Sequence, residues 1–403
     1  MSKITFETIS FEEKGDNIIV NFLKIFSFEL PKNAIEVIGK FKTSKNLIEF
    51  KDIDEDEAKS KFNMLLARGF ENLTTKTTNK EAIYIHKNSG IPLVGNVSFG
   101  IVDRNTNIIE IKPITVCNLK CVYCSVNDDL RPVDFVVEKD YMIEELRKIL
   151  DYKQADDIEI HIGGQAEPLY YADFLPLVKD LSSIKQVREI SVDTNATLLT
   201  KNLVDGLVEA GMTRFNVSIN AMDKDSAEKI AGKPYNLKHV LEIAEYISKK
   251  TDLIIAPVWI PGINNNEMPK LIEFTKKLQD KSKNKVIIGI QNFLNYKFGR
   301  NPTKQMSWDL FRKNMEELEE KHKTKLLLDF KEDFNIKPTK PLPKPFKKGA
   351  KIDAEIVCPG RMTGEKIAVV ENRTITLPNC TKQGKVRVKI TRTKHNIFYG
   401  ACI

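Results

Sequence analysis

The sequence predicts an α/β protein: a partial barrel of six parallel β/α units, a small α+β domain before it and a small β-barrel after it. Three observations carry this. Between residues 107 and 330, short apolar segments alternate with amphipathic ones, the order that gives a parallel sheet with outer helices. Several of those segments alternate polar with apolar residues, so the sheet keeps one polar face. Four prolines in Lys337–Pro345 then forbid a helix and set off the last sixty or so residues.

The elements follow in order. In residues 1–106, strand-like pieces at Asn17–Val20, Ala82–His86 and Val97–Val102 flank a helix expected at Glu55–Gly69, giving a small α+β domain. Residues 107–334 hold the barrel, with strands at Ile108–Ile114, Ile158–Ile162, Glu189–Asp193, Arg214–Ile219, Leu253–Val258 and Val286–Gln291. Helices are expected at Met142–Leu150, Leu203–Ala210, Val240–Ile247, Leu271–Leu278 and Phe311–Leu318. Glu110, Lys112, Glu159, His161, Ser191, Asp193, Asn216 and Ser218 share the inward strand face, so the lumen should hold something polar. Residues 335–345 form the extended linker, and 346–403 the terminal module.

The chain has 403 residues, enough for two or three domains, and its charged content suits a water-soluble protein. No apolar run approaches the roughly 20 residues that span a bilayer. The N-terminus shows no apolar signal core, so the protein is expected in the cytoplasm, away from membranes. The net charge of +8 is uneven: Lys344–Ile403 contains thirteen Lys and Arg against four acids, a balance of +9. A basic module on a neutral body fits either a polyanion, nucleic acid above all, or a solvated basic surface. Of six cysteines, three cluster at 117, 121 and 124, which in a cytosolic chain suggests metal or catalysis rather than disulfides.

Those three lie in Thr115-Val116-Cys117-Asn118-Leu119-Lys120-Cys121-Val122-Tyr123-Cys124, in the loop after the first barrel strand, where parallel barrels build their sites. Three thiolates so close can hold one iron–sulfur cube and leave one iron open to a small molecule. Zinc would normally want a fourth ligand, and none lies nearby. Cys117-x-x-x-Cys121-x-Tyr123-Cys124 resembles the signature of the radical S-adenosylmethionine (SAM) superfamily, and the likeness covers about residues 105–300. It implies a [4Fe–4S] cluster, SAM bound at the open iron and a low-potential electron donor such as ferredoxin or flavodoxin. The implied chemistry is cleavage of SAM to a 5′-deoxyadenosyl radical that takes a hydrogen from the substrate.

Further segments resemble the family in the same order. Gly163-Gly164-Gln165-Ala166-Glu167 resembles its "GGE" segment at the SAM amino group, with Gln165-Ala166 intervening and the acidic role left open. Asp193 and Asn195 close strand three, and Ser218 and Asn220 close strand four, like the family's polar strand ends that hold the SAM ribose and carboxylate. Ile260 follows strand five, where the adenine packs. His161 reads first as a satisfied structural histidine. Gln291, Asn292, Tyr296, Lys297 and Arg300, after strand six, read equally as substrate contacts or as surface loop.

In the terminal module, short alternating strands suggest a small β-barrel, with Lys385, Arg387 and Lys389 on one outer face. It resembles the TRAM domain, an OB-like RNA-binding barrel. Cys358, Cys380 and Cys402 read as small buried apolar residues, with a second cluster as the alternative. A radical SAM barrel joined to TRAM resembles tRNA-modifying enzymes, the methylthiotransferases among them, but this chain lacks their N-terminal three-cysteine domain. The resemblance implies an archaeal radical SAM–TRAM group. The expected activity is alkylation or homologation of a tRNA nucleoside, such as threonylcarbamoyladenosine. The alternative is a protein or small-metabolite substrate, with the basic module used for docking.

Overall fold

A computed structural model describes residues 2–403. Six parallel strands form the centre: β1 (Ile108–Lys112), β2 (Ile158–Ile162), β3 (Val187–Thr194), β4 (Arg214–Val217), β5 (Asp252–Ile255) and β6 (Val286–Ile288). They stand in sequence order in one open sheet, and an antiparallel strand, Gly100–Asp103, extends it beyond β1. The sequence placed a strand at Val97–Val102 in the first domain. Instead it begins at Gly100 and belongs to the large sheet, because its residues pair with β1 from Gly100↔Lys112 to Asp103↔Ile109.

Strands five and six are shorter than expected. Pro257 has no N–H to give the ladder, so pairing lapses after Ile255 and resumes as a two-residue parallel bridge of Val258–Trp259 with Gln291–Asn292.

The outer helices form where capping and periodicity agree. Leu237–Ser248 starts at Asn236, whose side chain accepts the His239 N–H, and buries Leu237, Val240, Ile243, Ala244 and Ile247 on one stripe. Glu55–Phe70 is capped by Asp54 and buries Ala58, Phe62 and Leu66. No helix among the described residues is long and apolar enough to cross a membrane.

The first domain contributes two sheets, and the larger is completed from outside. Val133–Val137, fully buried, pairs in parallel with Glu81–Ile85 at the edge of that six-stranded sheet. It follows the cysteine loop directly, so one end of that loop is anchored on the N-terminal domain.

The last five strands, β7 (Lys351–Pro359), β8 (Lys366–Val370), β9 (Arg373–Leu377), β10 (Lys385–Arg392) and β11 (Tyr399–Cys402), close into a barrel in the order β7-β8-β9-β11-β10. The segment leading to it is extended and is tied along the central domain. Lys337 N–H donates to Asn107 Oδ1 at 2.8 Å, Thr339 N–H to the Asn105 carbonyl at 3.0 Å, and Lys153 Nζ to the Lys340 carbonyl at 3.1 Å.

The barrel also docks on residues 94–96. Thr374 N–H donates to the Val94 carbonyl at 3.0 Å, Phe398 N–H to the Gly95 carbonyl at 2.9 Å, and Asn96 Nδ2 to Thr376 Oγ1 at 3.3 Å. Gly95 has φ +129°, and a Cβ there would lie 2.2 Å from the Thr374 carbonyl oxygen. Gly95→Ala should therefore loosen this docking at a cost of about 1–3 kcal/mol. Limited proteolysis should cut the variant in 338–345 several-fold faster than the parent; equal rates would refute the docking role.

Candidate active site

The cysteine loop is held on three sides. At its start, Thr115 N–H donates to the Phe135 carbonyl at 3.0 Å and Thr115 Oγ1 accepts from Phe135 N–H at 2.8 Å. In the middle, Lys120 and Val122 N–H donate to the carbonyls of Ala231 and Ile230 at 3.0 and 2.9 Å. Gly232 makes that approach possible, since a Cβ there would lie 2.1 Å from the Lys120 carbonyl oxygen. At the far end, Arg300 N–H donates to the Cys124 carbonyl at 2.8 Å, and Asn127 N–H to that of Phe298 at 2.6 Å.

Cys117, Cys121 and Cys124 line one cavity of about 290 Å³ at the C-terminal ends of the strands. Burial pushes all three thiols up: Cys117 far up, with the neighbouring Glu167 adding to the effect, Cys121 to about 12, and Cys124 above its usual range. Ionising them together in this setting calls for positive charge inside the cavity. Among the described residues, no three ligand groups converge on a single metal-ion position. A cube suits such thiols better than zinc does, because each binds a different iron and the corners keep the sulfurs apart.

Of the residues read as SAM contacts, Gly164, Gln165, Glu167, Asp193, Asn195 and Ser218 line this same cavity. The lining does not include Gly163, Asn220 or Ile260. Gly163 lies beneath it, where a Cβ would fall 2.8 Å from His161 Nε2. Asn220 ties β4 to the cysteine loop, its Nδ2 donating to the Tyr123 hydroxyl at 2.9 Å and its Oδ1 accepting from Val258 N–H at 2.8 Å. Ile260 is fully buried in the core.

Two of the lining residues have most of their polar atoms engaged. The Glu167 carboxylate accepts from Thr194 Oγ1 and Asn195 N–H, both at 2.8 Å, and from Leu169 N–H at 3.2 Å. Burial still raises its pKa to about 7. Asn195 Nδ2 donates to Asn118 Oδ1 at 2.8 Å, joining the end of β3 to the cysteine loop.

Gln165 is a junction. Its carbonyl accepts from Arg131 Nη2 at 3.2 Å, and its Oε1 accepts from Arg361 Nη1 of the terminal barrel at 2.6 Å. Thr363 Oγ1 of the same barrel donates to the Leu130 carbonyl at 3.0 Å. The terminal barrel therefore borders the cavity, a contact between distant segments that sequence reading had no signal for.

Below the cavity, the expected polar face is a connected network. His161 Nδ1 meets Ser191 Oγ at 2.9 Å, Ser191 Oγ donates to Glu159 at 2.6 Å, and Glu159 pairs with Arg214. On the upper side, His161 Nε2 meets Asp193 Oδ2 at 3.1 Å, and Asn216 Nδ2 donates to Asp193 Oδ1 at 2.9 Å. Desolvation opposes charge on the imidazole, but Asp193 outweighs it and His161 stays above its ordinary pKa. Asp193 in turn sits below its ordinary range because His161 and Asn216 hold its charged form against burial.

Gln291, Asn292, Tyr296 and Arg300 also line the cavity, whereas Lys297 lies over the Phe298 ring at 4.9 Å. Lys385, Arg387 and Lys389 do alternate outward on β10, but acids face two of them. Glu355 stands opposite Lys385, Asp353 stands opposite Arg387, and Arg387 Nη1 bonds Asp353 at 2.6 Å. The reading of the C-terminal cysteines is corrected. Cys380, in the loop before β10, and Cys402, on β11, are disulfide-bonded, while Cys358 is free and buried elsewhere.

A radical SAM superfamily model matches residues 111–275, the segment that runs from the end of β1 through this loop and β2 to β5. The chain belongs to the radical SAM superfamily. It is 35% identical to the uncharacterized protein MJ0103 of Methanocaldococcus jannaschii over 422 residues, covering 96% of this chain and 95% of that one. Over 180 residues it is 31% identical to a GTP 3′,8-cyclase of Listeria welshimeri, covering 43% of this chain and about half (51%) of the cyclase. Among solved structures it is similar to Streptococcus suis SuiB bound to the precursor peptide SuiA, with TM-score 0.44, 14% identity and coverage of 80% and 71%. Spore photoproduct lyase complexed with a dinucleoside spore photoproduct gives TM-score 0.45, 12% identity and coverage of 64% and 81%.

As a radical SAM protein, the chain uses a [4Fe–4S] cluster and SAM, and the three half-buried thiols that line one cavity fit the cluster. Each of Cys117→Ala, Cys121→Ala and Cys124→Ala should remove most of the iron and sulfide from anaerobically purified protein. Asp193→Asn should lower the His161 pKa, because it removes the charge that favours imidazolium. Histidine ¹⁵N spectra across pH should show neutral His161 appearing at lower pH than in the parent; an unmoved midpoint would refute the pairing.

Proposed function

We propose that this radical SAM enzyme modifies RNA, with a tRNA nucleoside as its target and a group-transfer outcome such as alkylation or homologation. The observation that carries the reading is the closed five-stranded barrel, with its basic surface, set against the rim of the cluster cavity through Arg361 and Thr363. A small TRAM-like barrel of this charge suits a phosphate backbone. On this reading its contact with Gln165 brings the bound strand to the chemistry. An archaeal source and a cytoplasmic setting fit the same reading, as does a ferredoxin- or flavodoxin-type donor.

When bound, the cluster and SAM supply one-electron reduction and hydrogen-atom abstraction. The chain's residues do the rest. Cys117, Cys121 and Cys124 hold the cluster. Gly164 at φ +130° and Gln165 present backbone at the rim where the SAM amino group is expected. Ser218 offers its hydroxyl at the end of β4, and Asp193 offers the remaining lone pairs of an ionised carboxylate to hydrogen-bond donors in the lumen.

The similarity to a GTP 3′,8-cyclase favours a second reading, in which a free purine nucleotide is the substrate. Nucleoside mass spectrometry of tRNA from a deletion strain separates the two. The RNA reading expects one modified nucleoside to vanish and its precursor to accumulate. An unchanged profile, together with 5′-deoxyadenosine formed from SAM, reductant and a free nucleotide, would establish the second reading instead. Replacing Lys385, Arg387 and Lys389 with Gln should weaken tRNA binding and lower the salt slope by up to about three. Because Asp353 already holds Arg387, the two lysines should account for most of that loss.

A further inference from the structure

Two guanidinium groups at the cavity, one buried and one half-buried, do not belong to the cysteine motif or to the SAM-contact segments. Arg131 follows the cysteine loop and is 5% exposed. Its Nη1 donates to the Thr115 carbonyl and to Asp134 Oδ1 at 3.3 Å, and its Nη2 donates to the Gln165 carbonyl at 3.2 Å. Its Nε is buried without a partner. Arg300 comes from the loop after β6. Its N–H holds the Cys124 carbonyl, its Nε donates to Asn127 Oδ1 at 3.2 Å, and its Nη2 pairs with Asp128 and with Asp129, the latter at 3.0 Å. Both side chains line the cavity beside the three thiols.

We infer that Arg131 and Arg300 are positioning residues that act as counter-ions of the cluster and raise its reduction potential. The inference rests on the cluster assignment and is independent of which substrate the enzyme takes. A cube held by three thiolates is anionic overall, and reduction by one electron from an external low-potential donor adds another negative charge. Among half-buried protein groups that added charge is less well solvated than in bulk water, so nearby fixed cations favour the reduced form. Leu119 N–H, which points at Cys117 Sγ at 3.5 Å, acts in the same direction.

Each cation has acidic partners, and this sets how large the effect is. Asp134 is buried against Arg131. Arg300 has two acids: Asp128, 23% exposed and itself lining the cavity, and Asp129, largely exposed and shared with Lys120. Water screens Asp129 more than it screens the Arg300 head group, whose side chain is 16% exposed. Asp128 is screened little and offsets much of the Arg300 charge, so the effect lies in the balance: removing the guanidinium leaves both acids uncompensated, and removing Asp129 leaves Arg300 less neutralised.

The test is a potentiometric titration of the reconstituted holoprotein, followed by the electron paramagnetic resonance signal of the reduced cluster. Arg300→Gln should lower the reduced fraction at a fixed potential about tenfold, equivalent to about 59 mV for a one-electron couple. Arg300→Lys keeps the charge while losing the forked hydrogen bonds, and should stay close to the parent. Asp129→Asn should move the midpoint the other way, to higher potential, and as a surface substitution it decides the matter even if Arg300→Gln assembles no cluster. Equal midpoints in the parent, Arg300→Gln and Asp129→Asn would overturn the proposal. So would Arg300→Lys falling as far as Arg300→Gln, since loop geometry rather than charge would then be responsible. A parent protein without any cluster signal would overturn it together with the cluster assignment.

Discussion

Three half-buried thiols whose surroundings disfavour the thiolate are the constraint around which this chain is arranged. Burial pushes Cys117, Cys121 and Cys124 toward their neutral forms, so the loop suits its role only when a cationic iron–sulfur core enters the cavity. A loop with that task cannot rely on its own sequence for shape. It takes its position from Phe135 at one end, from Ala231 and Ile230 in the middle, and from Phe298 and Arg300 at the other end. The N-terminal domain supports it through Val133–Val137, and the strand ends support it through Asn195 and Asn220.

This arrangement separates two kinds of polar residue that look alike along the chain. Glu167, Asn195 and Asn220 spend much of their hydrogen-bonding capacity on the frame, tying β2 to β3 and both β3 and β4 to the cysteine loop. Ser218 lines the cavity, and each Asp193 oxygen carries one hydrogen bond, which leaves lone pairs for a ligand. Asp193 is held in its charged form from below by His161 and Asn216, so it meets the cavity as a fixed anion with little reorganisation left to make. The lumen is thus graded, from paired charges at Glu159 and Arg214 up to a single open carboxylate.

Much of this could be read in the sequence where the signal is local. All six parallel strands and the five expected helices lie where periodicity placed them, because each is amphipathic on its own scale. The cysteine spacing and the polar strand faces were legible for the same reason. What stayed hidden depends on partners far away in the chain. Val133–Val137 is a short apolar run that becomes a strand only beside Glu81–Ile85. Gly100–Asp103 chose its sheet by pairing with β1. Arg131 and Arg361 carry no motif, and the Cys380–Cys402 bond joins the loop before β10 to the last strand, 22 residues on. Pro257 did give a local sign that strand five would break, but its effect on strand six required the register between them.

The proline-bearing segment that leads to the last barrel is not a tether. It lies pinned along the central domain by Lys337, Thr339 and Lys153, and the barrel is pinned again at Val94 and Gly95. A module fixed at both points cannot swing a captive toward the chemistry. Any long ligand it grips is held at a constant offset from the cavity, so the atom that reacts is chosen by its distance from the grip. Such an enzyme would work as a ruler rather than as an arm.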